Sequence, residues 1–212
     1  MPSKGGSRKD AWVFLNVPFD KPYEPLFVAL VAGLVGLGRV PKCALEAKRV
    51  GSPRLDGILQ LIGDCPASIH DLSRMPHPGK ALPRMNMAFE LGVSVGIDRS
   101  RSRRATQRHA FFLFESRRHR VGKTLSDMAA YDPEVHGDRP HRVLACILNC
   151  FSRVGKTPSI DELKRLYDKL WPMADALRRQ FGAKSLFERH LYRQVVTTAT
   201  KLAVRQKLLR ST

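Results

Sequence analysis

Two hydrophobic rhythms alternate along the first two thirds of the chain. Ala11 to Val17 (Ala-Trp-Val-Phe-Leu-Asn-Val) is a continuous apolar run, as expected of a first, central strand buried on both faces. Pro18 stops it. Asp20 is placed to cap a helix and Pro22 suits its first turn, after which Leu26, Leu30, Gly33 and Leu34 recur at helical spacing until Gly36 and Gly38 end the element. Val40 to Leu45 reads as a second strand, with Pro41 marking it as short or edge-like. Ser52-Pro53 opens the next helix, whose apolar face is Leu55, Ile58, Leu59 and Ile62. A third strand runs through Ala67, Ser68 and Ile69 to Asp71.

Ser73 to Pro83, with three prolines and a glycine, must be a loop, and a helix follows from near Asn86 to about Gly96. Asp98 to Arg108 is polar and arginine-rich, a flexible excursion before a fourth buried strand, His109 to Phe114. Alternation of strands and helices predicts an α/β fold, a doubly wound, mainly parallel sheet of four to five strands. Beyond it the pattern is purely helical. Pro140 to Phe151 is one segment, and Ser159 with Glu162 and Ser185 with Glu188 are two capping boxes announcing two more helices, the first ended by Gly182. The expected division is therefore a disordered basic tail over 1–10, an α/β domain over 11–152 and a helical extension over 153–212.

Composition narrows the partners. The 212 residues are 43% hydrophobic, enough for one good core, and carry a formal net charge of +18. Such an excess attracts polyanions in general, and the extension alone has fourteen Lys and Arg against five Asp and Glu. No repeat, zinc-finger spacing or aromatic-interleaved signature points to sequence-specific nucleic-acid recognition, so nucleic acid is expected only as a non-specific partner. The cysteines, Cys43, Cys65, Cys146 and Cys150, form no Cys-x-x-Cys pair and read as reduced thiols. Cys146 and Cys150, with His141 near, make an incomplete ligand set, so no metal is expected. The apolar stretch from Leu26 to Gly38 is shorter than the roughly 20 residues that span a bilayer, and the basic start lacks a signal-peptide core. A soluble, cytoplasmic protein without membrane association is expected.

In a doubly wound sheet the crevice lies beyond the carboxyl ends of the strands, so Asn16 to Phe19, Glu46, His70 to Ser73 and Glu90 should converge there. No Gly-x-Gly-x-x-Gly or phosphate loop accompanies them, which disfavours redox dinucleotide and NTPase sites. Asp71 ends a strand and Glu90 lies in the first turns of a helix, where the positive end of the macrodipole favours its carboxylate. Two acids at such edges suit the breaking of a ribosyl N-glycosidic bond. One stabilises or captures the developing sugar cation, the other positions the substrate or protonates the base. A base that is already cationic needs no acid. Arg54, Arg84 and Asn86 are candidates for phosphate or ribose, although Asn86 fits a helix N-cap better. Asn16, Pro18, Phe19, His70 and Ser73 complete the expected binding set.

Several segments carry a family resemblance: Phe14-Leu15-Asn16-Val17-Pro18-Phe19-Asp20, Ser68-Ile69-His70-Asp71-Leu72-Ser73-Arg74, Leu82 to Gly92, Leu125 to Asp132, and His136-Gly137. They resemble a group of bacterial proteins similar to the nucleoside 2-deoxyribosyltransferases and to Toll/interleukin-1 receptor-like NAD-cleaving domains. The resemblance covers about Ala11 to Phe151 and implies a flavodoxin-like, Rossmann-like fold. It also implies nucleotide N-glycosidase activity on NAD or a nucleoside monophosphate, in a defence or signalling setting, with Glu90 as nucleophile or cation stabiliser and Asp71 as the positioning acid. NAD would be substrate, not cofactor, and a homo-oligomer is implied because related crevices are often completed by a neighbouring subunit. The departure is the approach to the Glu, where Leu82-Pro83-Arg84-Met85-Asn86 replaces the usual Asp-Gly-Thr. A non-catalytic nucleotide-sensing or partner-assembly module, and a basic nucleic-acid-binding protein, remain the alternatives.

Overall fold

The computed structural model describes residues 8–47, 51, 53–75, 83–100, 109–152 and 157–209. Five strands, β1 (Trp12–Asn16), β2 (Val40–Cys43), β3 (Ala67–Asp71), β4 (Ala110–Glu115) and β5 (Glu134–Val135), form one sheet in the order β2-β1-β3-β4-β5. Every neighbouring pair is parallel. The chain leaves β1 for β2 in one direction and β3 in the other, so the strand order reverses between β1 and β3. That reversal splays the connections apart and opens a crevice at the carboxyl ends.

Helices α1 (Glu24–Gly36), α2 (Arg54–Asp64), α3 (Met85–Ser100), α4 (Arg120–Thr124), α5 (Pro140–Phe151), α6 (Ile160–Gln180) and α7 (Arg189–Arg205) complete the described structure. One face of the sheet carries α1 and α5, and its core joins Val13, Leu15 and Ile69 to Phe27, Leu30 and Ile147. The other face carries α2 and α3, with clusters around Phe14 and Ile62 and around Met87, Leu91 and Leu113. Placed between sheet and extension, α1 is buried on nearly every side, which explains why its sequence is apolar beyond Glu24. Its outer surface meets α6 and α7 through Leu163, Leu166, Leu170, Tyr192 and Val195, all in the α1 core. The helical extension thus shares the domain's main core. Tyr192 also donates to the Pro41 carbonyl at 2.6 Å, fastening α7 to β2.

Several boundaries differ from expectation for identifiable reasons. The helix carrying Glu90 begins at Met85 and continues past Gly96 to Ser100, because Ile97 still packs on the α2 face and helix propensity outweighs a single glycine. Residues 101–108 of the arginine-rich excursion lie outside the described residues, as do 1–7 of the basic tail, Ser52 and most of the proline loop. Ser159 and Glu162 do form a capping box at α6, with Ser159 N–H donating to Glu162 at 2.8 Å. Ser185 does not cap α7. The backbone N–H of Leu186 donates instead to the buried Glu24 carboxylate at 2.8 Å, and the helix starts after Glu188. Asp20 forms no side-chain cap either, for its carboxylate is taken by two arginines. The four cysteines are free thiols. No helix among the described residues is long and apolar enough to cross a membrane.

Candidate functional site

The crevice at the strand-order reversal encloses about 290 Å³ and is lined from three directions. β1 and the turn after it supply Leu15, Asn16, Val17, Pro18 and Phe19; the turn after β2 and the start of α2 supply Ala44 and Arg54; α3 and the residue before it supply Arg84, Asn86, Met87 and Glu90. The volume lies near the lower end of the range for small-molecule sites. Seven of the ten residues expected from sequence therefore meet in one place. The convergence follows from topology, since the ends of β1, β2 and β3 lie side by side and the helices launched from them start at the same rim.

Glu90 is the sixth residue of α3, one full turn inside the helix. It is 6% exposed, and its carboxylate has no hydrogen-bond or ion-pair partner among the described residues. Burial lifts it to about 7, with the Arg54 guanidinium pulling the other way. The expectation that the helix dipole would hold Glu90 ionised is therefore reversed. At that depth loss of water outweighs a dipole whose effect fades within the first turn. Asn86 sits inside the first turn of α3 and is exposed, so its N-cap reading does not apply and it is left to face the crevice.

Arg84 is fixed from behind. Its Nη2 reaches Asp20 Oδ2 at 2.7 Å, and Arg74 Nε reaches the same oxygen at 2.9 Å. Arg84 Nη1 is sealed from solvent and without a partner, as is Asp20 Oδ1. Arg54 stands exposed at the first turn of α2.

Asp71, His70 and Ser73 do not line the crevice. Asp71 is fully buried and its oxygens are committed: Oδ2 accepts from the Tyr23 hydroxyl and lies 3.0 Å from His136 Nε2, while Oδ1 accepts from the Ser73 hydroxyl and, at 3.0 Å, from the Ser73 N–H. Burial alone would raise its pKa, but these bonds, chiefly those with His136, hold it below the usual carboxylate value. The Asp138 N–H closes the cluster on His136 Nδ1 at 3.1 Å. Asp71 thus ties the end of β3 to α1's approach and to the loop after β5, a fold contact behind the site. His70 stands directly behind Asn16, whose Nδ2 lies 3.0 Å from His70 Nδ1. Burial pulls His70 down to about 3, so it is neutral. Glu46 turns away to pair with Lys42 at 3.1 Å. Two partners of these groups, Tyr23 for Asp71 and the Met87 carbonyl for the Asn16 amide, carry no local sequence signal, because they are brought together only by sheet closure. Among the described residues no cluster of His, Cys, Asp or Glu has the shape of a metal site.

Fold and crevice together define a class: a doubly wound, all-parallel α/β domain with C-terminal helices and an acid-bearing crevice at the strand-order reversal. No protein-family model, curated protein or solved structure matches the chain.

Proposed function

We propose that the protein is a nucleotide N-glycosidase that cleaves the ribosyl–base bond of NAD or a nucleoside monophosphate. The observation that carries this reading is Glu90, a buried carboxylate without a partner, facing a crevice that also holds Arg54 and Arg84. A protein that leaves such a group unpaired loses stability, and strain of this kind is characteristic of reactive sites. The resemblance of the Asn86 to Gly92 helix opening to that of the deoxyribosyltransferases supports the same role.

In the proposed reaction the bond between the anomeric carbon and the base nitrogen breaks, its electron pair staying with the base. The ionised Glu90 stabilises or captures the sugar cation, and water then adds at the anomeric carbon. Among the described residues lining the crevice, Glu90 is the only carboxylate, so a second acid for protonating the base is missing. That favours a base which is cationic before cleavage and leaves neutral, as the pyridinium of NAD does. Arg54 and Arg84 suit the phosphate end. Purified protein incubated with NAD and a nucleotide panel is expected to release free base, and Glu90→Gln to reduce release by roughly 10²-fold or more. Undiminished release by that variant would end the catalytic assignment.

The lone carboxylate also supports a second reading, in which the crevice senses a nucleotide without cleaving it. Binding that persists in Glu90→Gln, with no base released by either protein, distinguishes it. A basic nucleic-acid-binding protein, suggested by the net charge of +18, would instead show binding that falls steeply with salt and no preference among nucleotides. Self-association is part of the proposal as well: Met85 and Phe89, 62% and 53% exposed, form an apolar ridge on α3 beside the crevice, and sedimentation should give an oligomer that Phe89→Ser dissociates.

A further inference from the structure

Asn16, 3% exposed, is the most buried polar residue lining the crevice, and its orientation is determined twice over. Its Nδ2 donates to the Met87 carbonyl at 2.8 Å, an oxygen that can only accept. The other amide hydrogen therefore faces His70 Nδ1, 3.0 Å away, which must accept it. With Nδ1 an acceptor, neutral His70 carries its proton on Nε2 and donates to Ser68 Oγ at 2.9 Å. The Ser68 hydroxyl then donates to His109 Nε2 at 2.9 Å, and His109 Nδ1–H donates to the Cys65 carbonyl at 2.8 Å. The far end gives the same answer independently, since the Cys65 carbonyl also demands a donor. Both imidazole tautomers, the serine rotor and the asparagine amide are fixed by two backbone oxygens at opposite ends of one buried chain.

Both amide hydrogens of Asn16 are thereby consumed, and Oδ1, which is not among the sealed unpartnered atoms, opens on the crevice. The inner crevice then presents acceptors, the Asn16 carbonyl oxygen and Glu90, whereas the exposed Arg54 at its rim presents donors. The geometry points to Asn16 as a specificity-determining residue, one that selects a base bearing an N–H donor, a carboxamide or exocyclic amine, over a base with a carboxylate or keto oxygen in the same place. This rests on the nucleotide reading of the crevice. Because the chain begins at an amide it cannot relay a proton; its role is to keep Asn16 from flipping, which would turn the acceptor into a donor and reverse the preference.

The test is isothermal titration of the full chain carrying Glu90→Gln, so that neither ligand is cleaved during the measurement, with nicotinamide mononucleotide and nicotinic acid mononucleotide, which differ only in that group. This parent should bind the amide at least roughly tenfold more tightly. Adding Asn16→Ala should lower that ratio severalfold, and adding Ser68→Ala instead, which touches no crevice atom, should lower it in part, each variant first shown to melt cooperatively. Equal affinities in the parent, or a ratio unchanged in folded Asn16→Ala, would overturn the specificity role while leaving the nucleotide reading intact. Should Asn16→Ala not fold, an unchanged ratio in Ser68→Ala overturns the proposal. Failure of both mononucleotides to bind either the parent or the wild type overturns the nucleotide reading itself and this selectivity with it.

Discussion

Glu90 and Asp71 are both buried acids with displaced pKa values, yet the displacements have opposite signs and opposite consequences. Glu90 is raised to about 7, so between an unfolded value near 4.5 and that figure the folded state holds the extra proton. Stability therefore falls as pH rises through that window, and above pH 7 the buried charge costs about 2–3 kcal/mol. Glu90→Gln should accordingly be more stable than wild type at pH 8, by several degrees in Tm, and indistinguishable from it near pH 4. If Glu90 acts as the ionised group, kcat/KM for base release should also climb with pH through about 7, and thermal melts and pH–rate profiles of the same two proteins check both statements. Asp71 is lowered, so its contribution is present above the unfolded carboxylate value and is lost as pH falls through its folded one. Asp71→Asn leaves the cluster of His136, Tyr23 and Ser73 without its charge, and at pH 7 should cost roughly 3 kcal/mol. Activity should fall in that variant only in step with the folded fraction. An active-site role would instead abolish turnover in protein that melts normally.

Elements were legible in the sequence in proportion to how local their determinants are. Pro140–Phe151 and the capping box at Ser159 are written in neighbouring residues, and both stand where the pattern puts them. Ser159→Ala should cost about 1 kcal/mol, a drop of a few degrees in a melt followed by circular dichroism. The apparent box at Ser185 has the same local spelling, but Glu24, far away in sequence, captures the Leu186 N–H, and no local rule can anticipate a donor taken by another helix. β5 is two residues long, too short for any period-two signal, and exists because Phe114 and Glu115 offer it an edge. The crevice residues were legible because strand ends announce themselves, whereas Asp71 was misplaced because a strand end has two sides and the pattern does not say which one faces the ligand. Gly57 belongs to the same class of long-range facts. A Cβ there would collide with the Ala47 carbonyl, a backbone atom that cannot swing aside. Gly57→Ala should push α2 off the turn that carries Ala44, costing about 1–3 kcal/mol and, if the proposed nucleotide site is right, weakening affinity there by displacing Arg54. Gly63→Ala on the same helix, with open space around it, is the control that should do neither.

For the molecule as a whole, the question is whether the α/β unit can stand without its helical extension. Cut between α5 and α6, the chain would keep the sheet, the crevice and all the residues proposed to act on substrate. It would lose Leu163, Leu166, Leu170, Tyr192, Val195 and Ala199, each 0 or 1% exposed and each in the core that surrounds α1. A fully buried large apolar side chain contributes roughly 1.5–3 kcal/mol, so the five that stand beside Ala199 represent about 10 kcal/mol, as much as the whole net stability of an ordinary domain. The truncation would also turn a helix that is apolar beyond Glu24 toward water, since α1 has no polar face to expose. A chain ending at Ser152 should therefore fail to give a cooperative melt, lose near-ultraviolet dichroism while retaining far-ultraviolet signal, and bind a hydrophobic dye. Adding residues 153–212 as a separate peptide should restore a sigmoidal melt if the extension acts by covering α1. A truncated chain that melts cooperatively by itself would show that the basic helices are an appendage, free to serve a partner instead of the core.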